Sequence, residues 1–439
     1  MNKKLIFSTL TASLGGLLFG YETAVINGTL PFLTSYFHLT DSLKGISVSS
    51  ALIGCIFGAL FIGRLGDIFG RRQILKTMAL LFLASAIGTG AANDIVMFIA
   101  SRFIGGIAVG GASILSPVYI SEIAPAKFRG RLVISFQLAI VFGILAAFFV
   151  DYLLLDTGSN NWRFMFLSMG IPALLFYILL FFVGRSPRWL VMKGRSEEAR
   201  LVLSNLDPEN DPEVTITEIE KTIERKTDQK SSVLFEKRYL KFTLIGIAIG
   251  MFNQFTGINI IMYYATDIFR SAGFSTNSSL GQTVSIGFIN LAFTLIAMKL
   301  IDKVGRKRLL LTGTLGMAVF LALFSYIYIV NLSNNWLLVV MLLGYVAFFA
   351  SSQGAVIWVL LAEIFPNNIR ARGASLGTFS HWFFNGTTTF LYPVILGMFS
   401  DGKGTGYIFA FYSVMTFISF FVFKKYMVEL KGKTLESIH

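Results

Sequence analysis

The chain has 439 residues, 54% of them hydrophobic and only 14% charged. Soluble domains carry about 25% charged residues and could not hide this much apolar surface, so the surrounding solvent is lipid. The formal net charge of +13 invites a nucleic-acid partner, but the placement of the basic residues, set out below, excludes one.

Crossing the hydrocarbon core takes about 20 apolar residues in a helix. In chain order, runs of that kind cover 6–30, 45–64, 74–92, 95–120, 132–153, 162–183, 241–269, 280–300, 309–330, 336–361, 373–399 and 405–426. They are continuously apolar rather than alternating, which argues against a strand barrel. The pattern predicts an all-α integral membrane protein with twelve transmembrane helices. The first run follows MNKK and looks like a signal peptide, yet no small-residue cleavage site closes it and Tyr21 and Glu22 interrupt it. It is kept as the first helix. Cys55, the single cysteine, lies in the second run and excludes an internal disulfide. Asn27-Gly-Thr29 sits inside the first helix and reads as a chance match to a glycosylation triplet.

One long segment, 185–240, is hydrophilic and mixes acids with bases at helical spacing, as in EEAR and TEIEKTIERK. It reads as short amphipathic helices on the cytoplasmic face, with a flexible linker as the alternative. The expected organisation is a six-helix bundle over 1–184, a helical linker over 185–240, a second six-helix bundle over 241–427 and a tail over 428–439.

With loops numbered alternately inside and outside, only Lys44, Arg102, Arg163, Arg270 and Lys403, of 37 Lys and Arg, fall away from the inner segments and their flanks. Cytoplasmic loops hold such an excess. The expectation is a multi-pass protein of the cell membrane with both termini in the cytoplasm. There is no Walker-type loop, no HExxH, no cysteine–histidine cluster and no nucleophile–base constellation. No cofactor, metal or enzymatic activity is expected, and the energy source is a gradient.

The stretch SEIAPAKFRGR at 121–131 returns as AEIFPNNIRAR at 362–372, and DIFGRR at 67–72 returns as DKVGRK at 302–307. Both pairs share one period of about 240 residues, the mark of a transporter built from two similar helical bundles. Asp67 is suited to accept hydrogen bonds from a helix N-terminus of the opposite bundle. Arg71 and Arg72, with Asp302 and Arg306 in the second copy, are suited to pair with neighbouring groups of opposite charge. Glu122 with Arg129, and Glu363 with Arg370, bring opposite signs to the inner ends of helices 4 and 10. Together they read as a charged clasp that holds the inner face shut. The alternative is a solvated loop, whose exposed pairs are worth ~0–1 kcal/mol each.

The motifs GGLLFGYETAVINGTL (15–30), GRLGDIFGRR (63–72), RFIGGIAVGGASILSPVYISEIAP (102–125), SPRWL (186–190), QFTGIN (254–259) with YY (263–264), WVLLAEIFPNNIRARG (358–373) and KGKTLE (431–436) occur in this order. In them the chain resembles the sugar porter family of the major facilitator superfamily across nearly its whole length. The resemblance implies two pseudo-symmetric six-helix bundles and alternating access for a monosaccharide.

Sugars are neutral polyols, so they are recognised by amides and hydroxyls that both donate and accept. Helix 7 supplies Asn253, Gln254 and Asn259, roughly 18–27 Å from its inner end at ~1.5 Å per residue, and Asn290 on helix 8 comes to a similar depth. The resemblance adds Gln137, Trp358, Trp382 and Asn385 as sugar contacts and supports Gln254, Asn259 and Asn290 in that role. For each polar residue the structural alternative is an interhelical hydrogen bond of ~0.6 kcal/mol. Four positions depart from the family's usual pattern. Asn253 stands for Gln, His381 for Gln or Asn, Ala355 for Pro, and SPRWL lacks its preceding Pro-Glu.

Glu22 has no cheap structural explanation inside helix 1. It and Arg102 on helix 4 both lie roughly 12 Å below the outer ends of their helices, and opposite charges inside a membrane pair. Proton-coupled members of the family carry an acid and an arginine at these positions, whereas facilitative members often have a neutral residue in place of the acid. The predicted function is proton–monosaccharide symport with Glu22 and Arg102 as the coupling pair. The rivals are a facilitative uniporter, a cyclitol symporter, sodium coupling and a static ion bridge. The expected partners are a sugar, a proton and the lipid bilayer, with a monomer as the working unit.

Overall fold

The computed structural model describes residues 2–125, 127–207, 211–227, 234–331, 335–366 and 369–427. Among them the chain is helical, with no strand. Its helices are α1 (Lys3–Phe37), α2 (Asp41–Phe69), α3 (Arg71–Gly90), α4 (Ile95–Ile123), α5 (Arg129–Leu153), α6 (Asn161–Ser168), α7 (Gly170–Leu179), α8 (Pro187–Met192), α9 (Ser196–Leu206), α10 (Pro212–Thr227), α11 (Leu240–Gln254), α12 (Ile258–Ser271), α13 (Thr276–Val304), α14 (Arg306–Val330), α15 (Asn335–Ser351), α16 (Gln353–Glu363), α17 (Arg370–Leu396) and α18 (Gly404–Tyr426).

Eleven spans among the described residues are long and apolar enough to cross a membrane, three of them each assembled from two helices: α6 with α7, α11 with α12, and α15 with α16. The twelfth crossing is α17, whose Ser380, His381, Asn385, Thr387, Thr388 and Thr389 dilute its apolar character. With it the described residues supply the twelve crossings expected from the sequence. The tail over 428–439 lies outside the described residues.

Three of the predicted runs are interrupted, that at 162–183 only at Met169, which keeps helical dihedrals (φ −63°, ψ −23°), and the other two at true breaks inside the membrane. The run at 241–269 is interrupted between Gln254 and Ile258 because Gly257 takes φ 80°, a left-handed conformation open chiefly to glycine. A break frees backbone groups that lipid cannot satisfy, and the Tyr345 hydroxyl meets one of them by donating to the Thr256 carbonyl at 2.9 Å. The run at 336–361 breaks at Ser352 without the aid of a proline. There the Ser352 hydroxyl turns back to donate to the Phe348 carbonyl at 2.6 Å.

The chain divides into two compact units. One takes 1–23, 53–147 and 163–231; the other takes 24–52, 148–162 and 232–439. In the first, glycines bring helix backbones into contact. A Cβ on Gly54, Gly58 or Gly110 would strike a backbone carbonyl of the facing α4 or α2, and one on Gly20 or Gly143 would do so between α1 and α5. Helices in lipid associate through such small residues, since apolar area alone gives no advantage over lipid tails. The hydrophilic segment folds into α8, α9 and α10, which share a small core of Trp189, Leu190, Val191, Ala199, Leu203 and Ile216. Ser186 caps α8 by accepting from the Trp189 N–H at 3.1 Å.

In the second unit, α11, α14, α16 and α18 enclose a core that includes Ile249, Phe252, Leu310, Val356, Leu360 and Phe423. The latter half of α1 is tied to α12 through Asn27. Its amide donates to the Met262 carbonyl at 2.7 Å, and its oxygen accepts from the Thr266 hydroxyl at 2.6 Å and the Thr266 N–H at 2.9 Å. Asn27 is thus a buried helix tie, which accounts for its place inside α1.

Candidate functional site

The break in α11–α12 gathers amides from either side of it. Asn259 donates to the Gln254 oxygen at 2.7 Å, and Gln254 donates to the Asn253 oxygen at 3.0 Å. Asn253 donates to the Gln353 oxygen at 3.2 Å, and Gln353 donates to the Thr314 hydroxyl at 3.3 Å. The four amides form one directed chain, in which each link polarises the next. The second N–H of Gln254 meets His381 Nδ1 at 3.0 Å. An amide NH₂ only donates, so the facing ring nitrogen is the acceptor.

Aromatic faces border this chain on α16 and α17. The Trp358 and His381 rings are 4.8 Å apart, and His381 and Trp382 meet edge to face at 5.4 Å. One turn further along α17, Asn385 donates to the Tyr263 hydroxyl at 3.4 Å and accepts from Thr389 at 3.2 Å. Asn290 is buried on α13, in the same unit. Gln137 lies half-buried on α5, in the other unit. The structure therefore brings Asn253, Gln254, Asn259, Trp358, His381 and Trp382 into one linked cluster, with Asn385 a turn away on α17 and bonded instead to Tyr263 and Thr389. Gln353 and Thr314 belong to it and were not singled out from the sequence. The available signal was a glutamine interrupting the apolar run at 336–361, just where that run breaks. Donors and acceptors on neutral groups beside aromatic faces suit a neutral, hydroxyl-rich ligand.

In the first unit, Glu22 on α1 meets Arg102 on α4. Arg102 Nη1 lies 2.6 Å from Glu22 Oε1 and also donates to the Glu22 backbone carbonyl at 2.7 Å. The Ser85 hydroxyl on α3 approaches the same carboxylate at 3.4 Å. Glu22 is 0% and Arg102 1% exposed, so the pair is wholly removed from water. Gly105 makes room for it, because a Cβ there would lie 2.6 Å from Glu22 Oε1. Arg102 Nε has no partner, so the guanidinium is held by one nitrogen rather than by a two-pronged clamp. Such a contact is geometrically easier to part than a bidentate one.

At the ends of α2 and α4, Arg71 bridges Asp67 at 2.7 Å and Glu122 at 3.0 Å. Ser186 donates to Glu122 at 2.5 Å, and the Trp189 indole N–H donates to the Asp67 carbonyl at 3.1 Å. The SPRWL segment is thereby fastened to the GDIFGRR turn without a preceding Pro-Glu. Two expected pairings take other forms. Arg72 donates to the Val183 carbonyl at 2.8 Å rather than to an acid. Glu122 is held by Arg71 and Ser186, while Arg129 is exposed and enters none of the described ion pairs. Arg306 is half-buried at the start of α14. The side chains of Asp302, Glu363 and Arg370 lie outside the described residues.

Comparison with known proteins gives a consistent result. The family pattern described as "Sugar (and other) transporter" matches residues 8–439. The chain is 36% identical over 439 residues to an arabinose-proton symporter of Bacillus subtilis, covering 99% of this chain and 94% of the relative. It is 38% identical over 478 residues to the D-xylose-proton symporter of Escherichia coli K12, covering 100% of this chain and 96% of the relative. Among solved structures, the inward-open xylose transporter XylE of E. coli superposes with a TM-score of 0.88 at 36% identity, covering 99% of each chain.

Proposed function

The chain belongs to the sugar transporter family, and on that premise we propose that it imports a monosaccharide, a pentose or hexose, together with a proton by alternating access. The observation that carries the coupling is the Glu22–Arg102 pair, 2.6 Å apart and sealed from water. A lone acid and a lone base in such a place mark a proton path. Relatives named for arabinose and xylose, each with a proton, favour a five-carbon sugar.

The cycle follows from these parts. With the pair separated, Glu22 takes up a proton from outside and Arg102 loses its partner. The sugar replaces links of the amide chain with its own hydroxyls, contacting Asn253, Gln254, Asn259, Asn290 and Asn385. Trp358, His381 and Trp382 flank its ring. The carrier, with its bundles 1–184 and 241–427, then passes from outward-open to inward-open. On the inner side the charges at Asp67, Arg71, Arg72, Glu122 and Arg129, and their repeats at Asp302, Arg306, Glu363 and Arg370, part to let both ligands leave. Re-forming the Glu22–Arg102 pair expels the proton and resets the carrier. The protein works as a monomer in the cell membrane, with both termini in the cytoplasm.

Uptake of a radiolabelled pentose into proteoliposomes, with pentoses, hexoses and cyclitols as competitors, tests this reading. Internal sugar should exceed external sugar under an inward proton gradient and fall to the external level when a protonophore is added. Accumulation that survives the protonophore unchanged would overturn proton coupling. Competition by cyclitols alone would overturn the monosaccharide assignment.

A further inference from the structure

Asp151 sits two residues before the end of α5 and is 0% exposed. Neither of its carboxyl oxygens makes a well-aligned hydrogen bond, and the one group that favours its charge is the backbone N–H of Gly28. It rests on Gly28 of α1, where an added Cβ would lie 2.5 Å from Oδ2 and 2.7 Å from Cγ. Only a residue without a side chain lets the carboxyl seat there. Three other acids within the spanning helices have a cation: Glu22 has Arg102 at 2.6 Å, Glu122 has Arg71 at 3.0 Å and Asp267 has Arg270 at 3.9 Å. Among the described residues, no charged side chain acts on Asp151.

The elements around it offer none. On α1 the titratable groups on either side of Gly28 are Tyr21, Tyr36 and Glu22, and Glu22 is already held by Arg102. Helix α13 approaches at Gly281, where a Cβ would lie 3.8 Å from the Tyr152 ring; its charged residues Lys299, Asp302 and Lys303 are near the opposite end. On α5 itself the ionisable neighbours are Tyr152 and, at the far end, Arg129 and Arg131. An ionised carboxylate with no counter-ion, faced by a single backbone N–H, is too costly in such surroundings, so the buried carboxyl carries a proton.

We propose that Asp151 is a second proton-binding site, distinct from the Glu22–Arg102 pair, that holds its proton for as long as the end of α5 is seated on Gly28. With both termini in the cytoplasm, that end of α5 faces outside, and parting the contact exposes the acid to external water, where it ionises. The binding half of this statement stands on burial alone. The release half rests on the alternating-access reading.

Infrared difference spectra of the full-length protein in lipid test the binding half. At neutral pH the wild type should show a protonated-carboxyl band that Asp151→Asn removes and Glu22→Gln leaves. A wild-type spectrum without that band, or one unchanged in D151N, overturns the site. Sugar exchange against external pH, each profile normalised to its own maximum, tests the release half. The wild type should fall about tenfold by one pH unit beyond its alkaline midpoint, and D151N should displace that limb by a unit or more. Superimposable profiles overturn release from Asp151. Wild-type protein that exchanges no sugar at any pH would overturn the transport reading instead and leave the infrared result standing. Should D151N fail to assemble, Asp151→Ser carries the same comparisons.

Discussion

Gln254 commits both N–H groups and its oxygen to its neighbours: one N–H to Asn253, one to His381, and its oxygen accepts from Asn259. A sugar entering the site exchanges such bonds for its own hydroxyls, so the exchange is close to neutral only while every donor finds an acceptor. Gln254→Leu keeps most of the volume but orphans the Asn259 amide and the His381 nitrogen. Orphaned buried groups cost about 1–3 kcal/mol, so sugar affinity should fall roughly 5- to 150-fold, read from quenching of tryptophan fluorescence on sugar addition. An affinity within twofold of wild type would remove Gln254 from the site. At this scale the sequence was informative where a polar residue stood alone in an apolar run. Glu22 declared itself in that way, and Asn253, Gln254 and Asn259 did so as a group of three amides in one apolar run. Gln353 did not, because its neighbours Ser351 and Ser352 made the stretch resemble an ordinary weak spot in a helix. Asp151 was not singled out from the sequence, and only its burial against Gly28 distinguishes it from the polar end of the run at 132–153.

The broken helices α11–α12 and α15–α16 place the amides, and Gly257 makes the first break possible. Gly257→Ala forces a Cβ into φ 80° and to 2.6 Å from the Tyr412 ring. Left-handed backbone costs an L-residue roughly 1–2 kcal/mol before any clash is counted. The variant should therefore unfold at lower temperature in detergent and bind sugar more weakly, since straightening the break separates Asn259 from Gln254. A variant with unchanged melting temperature and affinity would show that the break does not depend on this residue. Hydropathy marked the crossings well because lipid imposes a length on each. It gave no sign of the breaks, because Phe255 and Ile258 are as apolar as the helices they interrupt. The same apolar count underrates α17, whose polar residues are what the site uses.

For the molecule as a whole, two observations, a buried ion pair and a chain of neutral amides, are joined in the proposed cycle, where the first would exchange a proton and the second a sugar. One proton crossing 100 mV releases ~2.3 kcal/mol. At ~1.4 kcal/mol per decade that sustains roughly fortyfold accumulation with one proton per sugar. The energy is adequate only if the two exchanges are tied together, and Glu22 is the tie. Pentose added to proteoliposomes in weakly buffered medium, with external pH recorded, tests this most directly. The account predicts a prompt alkalinisation that scales with sugar uptake and vanishes in Glu22→Gln. Sugar entry with no change in external pH, at every driving force, would contradict it.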